Sequence, residues 1–149
     1  MLRRFFRCIK GEKGANPSQS EVIVDFIFDQ GLLFISIRNI GHRPAFKVSI
    51  KFDKKIVGVE GSKDIAALPL FQNIEFLAPQ KEIVTFLDSS ASYFSRGQPA
   101  EISAKISYQD ARGRRHATIV RHNLEIYKEI GYIQRLGNKT QACSNQGKE

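Results

Sequence analysis

The stretch that decides the fold is AFKVSIKFD, Ala45 to Asp53. Apolar and polar residues alternate through it without a break. In extended backbone, successive side chains point to opposite faces. Phe46, Val48, Ile50 and Phe52 are therefore expected on a buried face, and Lys47, Ser49, Lys51 and Asp53 on a wet one. The pattern belongs to a sheet packed on a core along one side only. Burying four such side chains contributes on the order of 8 kcal/mol at most, because the unfolded chain already hides part of the same surface.

Immediately upstream lies NIGHRPA, Asn39 to Ala45, with an Asn, a Gly, a His, an Arg and a Pro in seven positions. Two readings compete for it. As a reactive loop, it would use His42 as a general base or metal ligand and Arg43 to grip an anion. A base needs an acid or nucleophile beside it, and zinc needs three or four ligands. His116 and His122 lie far along the chain, and no H-x-x-x-H or C-x-x-C spacing occurs. As a structural turn, it would use Asn39 to bond loop backbone, Gly41 to supply a positive φ and Pro44 to start the strand. The turn accounts for more of these residues, with Asn39, Gly41 and Pro44 as its fixed points.

Further strands flank this pair. EVIVDFIF (21–28) is rich in β-branched and aromatic residues, Asp29-Gln30-Gly31 is a turn signal, and GLLFISIRN (31–39) completes a hairpin. KIVGVEG (55–61) reads as a short edge strand, and Pro69 excludes a central strand across 66–71. IEFLAP (74–79) and KEIVTFLDSS (81–90) are strands, and ASYFSRG (91–97) is a helical turn ending at Gly97. EISAKISYQD (101–110) alternates again, with Ile102, Ala104, Ile106 and Tyr108 inward. Asp110-Ala111-Arg112-Gly113 is a hairpin turn, and RHATIVRHNLEIY (115–127) is the last strand. Seven to eight short strands with regular turns predict an all-β, antiparallel sandwich. A closed barrel is the competing architecture.

The 149 residues suit one domain, with a basic segment and linker over 1–20, the sandwich over 21–127 and a flexible tail over 128–149. Eleven Phe and no Trp lean towards a β-rich core. The net charge of +8 is uneven. Residues 1–14 carry five Lys/Arg against one Glu, while 15–127 carry fourteen against twelve acids. A nearly neutral body with basic ends argues against a dedicated nucleic-acid face. Cys8 and Cys143 have no metal-ligand company and sit in polar ends, which fits a reducing compartment. No stretch reaches the roughly 20 apolar residues of a membrane span, and the start lacks an apolar core of signal-peptide length.

Three separated pieces of this chain resemble the signature of CARDB-like and related bacterial immunoglobulin-like modules. Asn39-x-Gly41-x-x-Pro44-Ala45-x-x-Val48 is similar to their N-x-G-x-x-x-A-x-x-V pattern. Leu77-Ala78-Pro79-Gln80 resembles their "laPG" turn, with Gln80 in place of the usual Gly. Tyr108-x-Asp110-x-x-Gly113 resembles their final hairpin, Y-x-D-x-x-G. The resemblance implies an immunoglobulin-like sandwich serving as a non-catalytic spacer or interaction module.

Two further segments carry chemistry. Arg112, Arg114, Arg115 and His116 form a basic hairpin that could hold phosphate through Arg forks. The hairpin lacks aromatics for base stacking, so a solvated turn explains it more simply. On a helix, Leu2, Phe5, Phe6 and Ile9 would share one face, with Arg3, Arg4, Arg7 and Lys10 around the other. That arrangement suits an anionic membrane surface, and Cys8 could accept an acyl chain. Ten residues make a marginal helix, so a frayed basic end is the equal alternative.

The expectation is therefore a non-enzymatic interaction module with a protein partner, no cofactor, no metal and no small-molecule substrate. Its expected place is the cytoplasm, with the basic start as the element that would hold it at the inner membrane face. Two alternatives stay open: a nucleic-acid-associated accessory protein using the basic tails and the 112–116 hairpin, and an enzyme whose site only folding assembles.

Overall fold

In a computed structural model, which describes residues 19–130, the chain runs through nine strands and two short helices. β1 (Val22–Asp29) and β2 (Leu32–Asn39) form the first hairpin. Its two-residue turn, Gln30-Gly31, has φ values of 51° and 81°, the left-handed pair that a tight hairpin requires. β3 (Ala45–Phe52) follows NIGHRPA, then the two-residue strands β4 (Val57–Gly58) and β5 (Lys63–Asp64). α1 (Pro69–Gln72) places Pro69 in the first turn of a helix, where its missing N–H costs nothing. β6 (Ile74–Leu77), β7 (Glu82–Ser89), α2 (Ser90–Ser95), β8 (Glu101–Gln109) and β9 (Arg115–Asn123) complete the order.

The strands divide into a three-stranded sheet, β1-β2-β7, and a four-stranded sheet, β6-β3-β8-β9, with β4-β5 as a small ribbon. Every pairing is antiparallel. Among the seven strands of the two main sheets, the first, second and fifth share one sheet, and the rest form the other. This is an immunoglobulin-like sandwich, with two open sheets rather than a closed barrel. The core lies between them. Val22, Val24 and Phe26 of β1 and Leu33, Ile35 and Ile37 of β2 meet Val48 and Ile50 of β3 and Ile102, Ala104 and Ile106 of β8.

The deciding stretch is a strand, but its faces are not those that unbroken alternation predicts. Phe46 pairs with Gln109 and Ser49 with Ser107, so Lys47 and Val48 together oppose Tyr108 alone. The extra residue is a β-bulge, with Lys47 at φ 49°. The bulge resets the inward face to Ala45, Val48 and Ile50, all at most 2% exposed, with Phe52 partly buried. Phe46 is moved out of the expected core face and meets the exposed Phe76 edge-on at 5.5 Å. A second difference closes the chain. The last strand ends at Asn123, and residues 124–127 form a 3-10 turn that buries Leu124 and stacks Tyr127 on Phe28.

Two polar devices fix the ends of the sandwich. Ser20, 1% exposed, donates to the Pro44 carbonyl at 2.7 Å and accepts from the Tyr108 hydroxyl at 3.1 Å, so the packed body includes residues ahead of β1. Asp88, also 1% exposed, is ion-paired with Arg96, whose guanidinium also donates to the Val57 carbonyl at 3.0 Å. The pair fastens the β4 ribbon to the end of β7.

Candidate functional site

NIGHRPA is built as a corner. Asn39 is fully buried and uses both ends of its amide. Its Oδ1 accepts from the Glu21 and Gly41 N–H groups at 3.2 and 3.0 Å. Its Nδ2 donates to the Arg43 and Leu77 carbonyls at 2.7 and 3.2 Å. One side chain thus ties together the starts of β1 and β3 and the end of β6. Pro44 directly precedes β3, as expected.

Gly41 has a different reason from the one its sequence context suggests. Its φ is not in the left-handed region. A Cβ there would lie 2.1 Å from the Gln19 oxygen, 2.7 Å from the Glu21 nitrogen and 2.9 Å from the Ser20 Cα, all backbone atoms. Glycine is required for close approach of two chain segments rather than for φ. The left-handed position in this corner is Gln80, at φ 61°. Its side-chain amide donates to the Ile40 and Gly41 carbonyls at 2.9 and 3.0 Å. His42 and Arg43 are exposed.

The basic hairpin does not act as one cradle. Asp110 is 6% exposed and sits at its centre. It accepts from the Arg112 and Arg114 amides at 2.9 and 3.0 Å, from Arg114 Nε at 3.0 Å, and lies 2.9 Å from His116 Nε2. The His116 hydrogen bond, with help from the Arg112 and Arg114 donors and against partial desolvation, holds Asp110 well below the usual carboxylate range. His116 also stacks on Tyr108 at 5.1 Å. Arg114 and His116 are therefore committed to the turn. Arg112, Arg114 and Arg43 line a cleft of about 260 Å³ that Gln19, Ser20 and Asp110 also line. Gly113, at φ 77°, has the conformation expected of it.

Arg115 leaves the group altogether, and it leads to the surface that local sequence reading missed. β9 pairs with β8 so that Arg115 faces Gln109, Ala117 faces Ser107, Ile119 faces Lys105 and Arg121 faces Ser103. β8 pairs with β3 so that Ser107 faces Ser49 and Lys105 faces Lys51. The outer face of the four-stranded sheet thus collects Lys47, Lys51, Lys105, Arg115 and Arg121, all exposed, around a floor of Ser49, Ser107 and Ala117. Lys47, Lys105, Arg115, Ser107, Gln109 and Ala117 line one shallow depression. Among the described residues, carboxylates stand only at the margins of the face: Asp53 and Glu101 beside Arg121 at one end, and Glu75 on the edge strand β6.

The electrostatics of this face are unfavourable for the isolated fold. Like charges directly across neighbouring strands destabilise a sheet, and Lys51 stands directly opposite Lys105. Among the described residues, none of the five cations forms an ion pair. Lys47 reaches the face from a bulge whose left-handed backbone costs a non-glycine residue about 1–2 kcal/mol. The opposite sheet has the reverse character. Besides the buried, ion-paired Asp88, β1, β2 and β7 carry Asp25, Asp29 and Glu82 against Arg38 alone. Its outer face also exposes Leu32, Val84 and Phe86.

The membrane-binding candidates Leu2, Arg3, Arg4, Phe5, Phe6, Arg7, Ile9 and Lys10, and the lipidation candidate Cys8, lie outside the described residues. Among the described residues, no helix is long and apolar enough to cross a membrane. Nor do three or more His, Cys, Asp or Glu side chains among them gather as metal ligands would. The chain belongs to the family described as a domain of unknown function, DUF8453, whose model matches residues 10–128. No curated protein matches it.

Proposed function

We propose that this chain is a non-catalytic immunoglobulin-like interaction module, of the CARDB-like kind that its three turns resemble. On this reading it engages an anionic partner through the outer face of its four-stranded sheet. One observation carries the proposal: Lys51 and Lys105 stand opposite each other on a face of five cations that form no ion pair among the described residues. A folded chain gains nothing from that arrangement, whereas an anionic partner would turn the mutual repulsion into attraction on docking. The roles of Asn39, Gly41 and Asp110 support the other half of the proposal. Asn39, Gly41 and Asp110 hold turns together, and, among the described residues, the cations of the sheet face stand free of such structural bonds.

The test is retention of the full chain on immobilised heparin along a salt gradient. Binding should weaken steeply with salt, because each phosphate-like or sulfate contact releases a counterion. The variant Lys51→Gln/Lys105→Gln should elute distinctly earlier than wild type while unfolding at a slightly higher temperature, because the cross-strand repulsion is gone. Equal elution of the two proteins would remove the sheet face from the interaction.

A further inference from the structure

We infer that the anionic partner of the basic sheet face is a lipid bilayer surface, and that Phe76 and Ile119 enter its apolar boundary. This rests on the preceding reading that the face binds anions and adds what kind of anionic surface it fits. Phe76 and Ile119 are 56% and 65% exposed, among the most exposed large apolar side chains in the described residues. They stand on the two edge strands, β6 and β9, of the four-stranded sheet. Ile119 projects beside Lys105, its cross-strand neighbour. Phe76 projects over Phe46, which pairs with Gln109, and Gln109 in turn faces Arg115. Lys47, Lys51 and Lys105 thus occupy the middle strands, Arg115 and Arg121 flank Ile119 on β9, and an apolar side chain stands at either edge.

The chemistry of the pair separates the anionic surfaces on offer. A nucleic acid rewards planar rings that stack on bases, and a branched aliphatic such as Ile119 offers no such platform. An anionic bilayer rewards both parts together. Lys and Arg sit at the headgroups, while Phe and Ile side chains bury at the acyl boundary. The face also has the shape for it, being an open sheet with a floor of Ser49, Ser107 and Ala117 instead of a groove that would follow a single strand. The acidic strands β1, β2 and β7 lie on the far side of the sandwich, so the two sheets orient the molecule in the field of a negative surface. Gln19 and Ser20 line the cleft shared by Arg43, Arg112 and Arg114, next to the end of the sheet that bears Arg115. Residues 1–14, with five Lys/Arg, precede that point in the chain.

The experiment is sedimentation of the full chain with phosphatidylcholine vesicles, with and without phosphatidylserine, run beside the heparin column. Wild type should sediment with the phosphatidylserine vesicles only. Phe76→Ser/Ile119→Ser should bind those vesicles at least about tenfold more weakly, given the apolar surface withdrawn, yet elute from heparin with wild type. Lys51→Gln/Lys105→Gln should lose about fivefold per charge on vesicles and also elute early from heparin. Unchanged vesicle binding by Phe76→Ser/Ile119→Ser would overturn the inference. So would wild type that binds heparin or a single-stranded oligonucleotide but no phosphatidylserine vesicle, and that outcome would leave the basic face standing as an anion site. If the lysine variant matched wild type on both supports, the fault would lie in the reading of the face itself.

Discussion

Gly41→Ala is the substitution that separates the two explanations of the NIGHRPA corner. A methyl group there would sit 2.1 Å from the Gln19 carbonyl oxygen, with the Glu21 nitrogen and Ser20 Cα also under 3 Å. None of these atoms belongs to a flexible side chain, so residues 19–21 must retreat as a unit. Their retreat breaks the bonds from His42 N–H to Gln19 and from Ile40 N–H to Glu21, now 3.2 and 2.8 Å. It also strains the two Ser20 bonds, to Pro44 and Tyr108. Two to four hydrogen bonds at about 1 kcal/mol each, with some overpacking, make the cost about 3–5 kcal/mol. The upper end is capped, because the chain can release the 19–21 segment altogether and keep the rest of the sandwich.

Urea unfolding measures this directly, with a midpoint shift of about 2 M at the slope of a small domain. The control is Gly113→Ala, where φ is 77° and nothing lies within 4 Å of the added atom. That variant should cost only the left-handed penalty, about 1–2 kcal/mol. Gly41→Asn sharpens the comparison, since Asn tolerates left-handed backbone. If φ governed position 41, Asn would be better than Ala there; if contact governs it, Asn is worse. Finding Gly41→Ala no more costly than Gly113→Ala, or finding Asn the better residue, would refute the close-approach argument.

Two further perturbations test other joints of the sandwich. His122 packs against Phe26 with ring centroids 5.0 Å apart, and its buried Nε2 has no hydrogen-bond partner among the described residues. Burial lowers its pKa, against the opposing pull of Asp25 and the Val24 carbonyl. The unfolded chain therefore takes up this proton first. The stability owed to neutral His122 is complete above about pH 6.5 and drains away as the pH falls through the window beneath it. Urea midpoints taken across that window should slope in wild type and flatten in His122→Phe; equal slopes would exclude His122 as the source. At Gln80, loss of the two side-chain bonds without relief of φ should make Gln80→Ala less stable by about 1–2 kcal/mol. Gln80→Gly loses the same bonds but relaxes the backbone, so it should be about 1 kcal/mol better than Ala in the same titration, and the reverse order would count against this account.

The parts of the fold that were legible in the sequence are those set by local chemistry. Alternation in 101–110 put Ile102, Ala104, Ile106 and Tyr108 inward, and all four are buried. Asn39 read as a binder of loop backbone, and it makes four such bonds. The misreading of Phe46 has a definite cause. A bulge adds a residue without disturbing the apolar-polar pattern, and the sequence cue for it is usually a glycine, which position 47 lacks. Gly41 was misread because φ and close approach both call for glycine, and only the position of 19–21 distinguishes them. The basic face was hidden for a different reason. Lys47, Lys51 and Lys105 each read as one wet-face residue of one strand, and Arg115 and Arg121 as members of the last strand. Their convergence depends on β3, β8 and β9 lying side by side, a long-range pairing that no window of sequence contains.

The same pairing explains why the net charge of the body was a poor guide to its surface. Net charge sums over a surface that the fold then divides. Residues 15–127 are nearly neutral, yet the sheet β6-β3-β8-β9 holds five cations to two carboxylates, while β1, β2 and β7 hold three carboxylates outside the core to one cation. The two sheets of a sandwich pack about 10 Å apart, slightly more than a Debye length at physiological salt. Each outer face is therefore felt by an approaching surface nearly independently of the other. A sandwich of zero net charge can in this way present a strongly cationic plane, provided its strand order sorts the charged strands by sheet. The sorting also sets orientation, because turning the molecule over exchanges attraction for repulsion. A body that looked too neutral to bind an anionic surface is thus better suited to do so in one pose than a uniformly basic one would be.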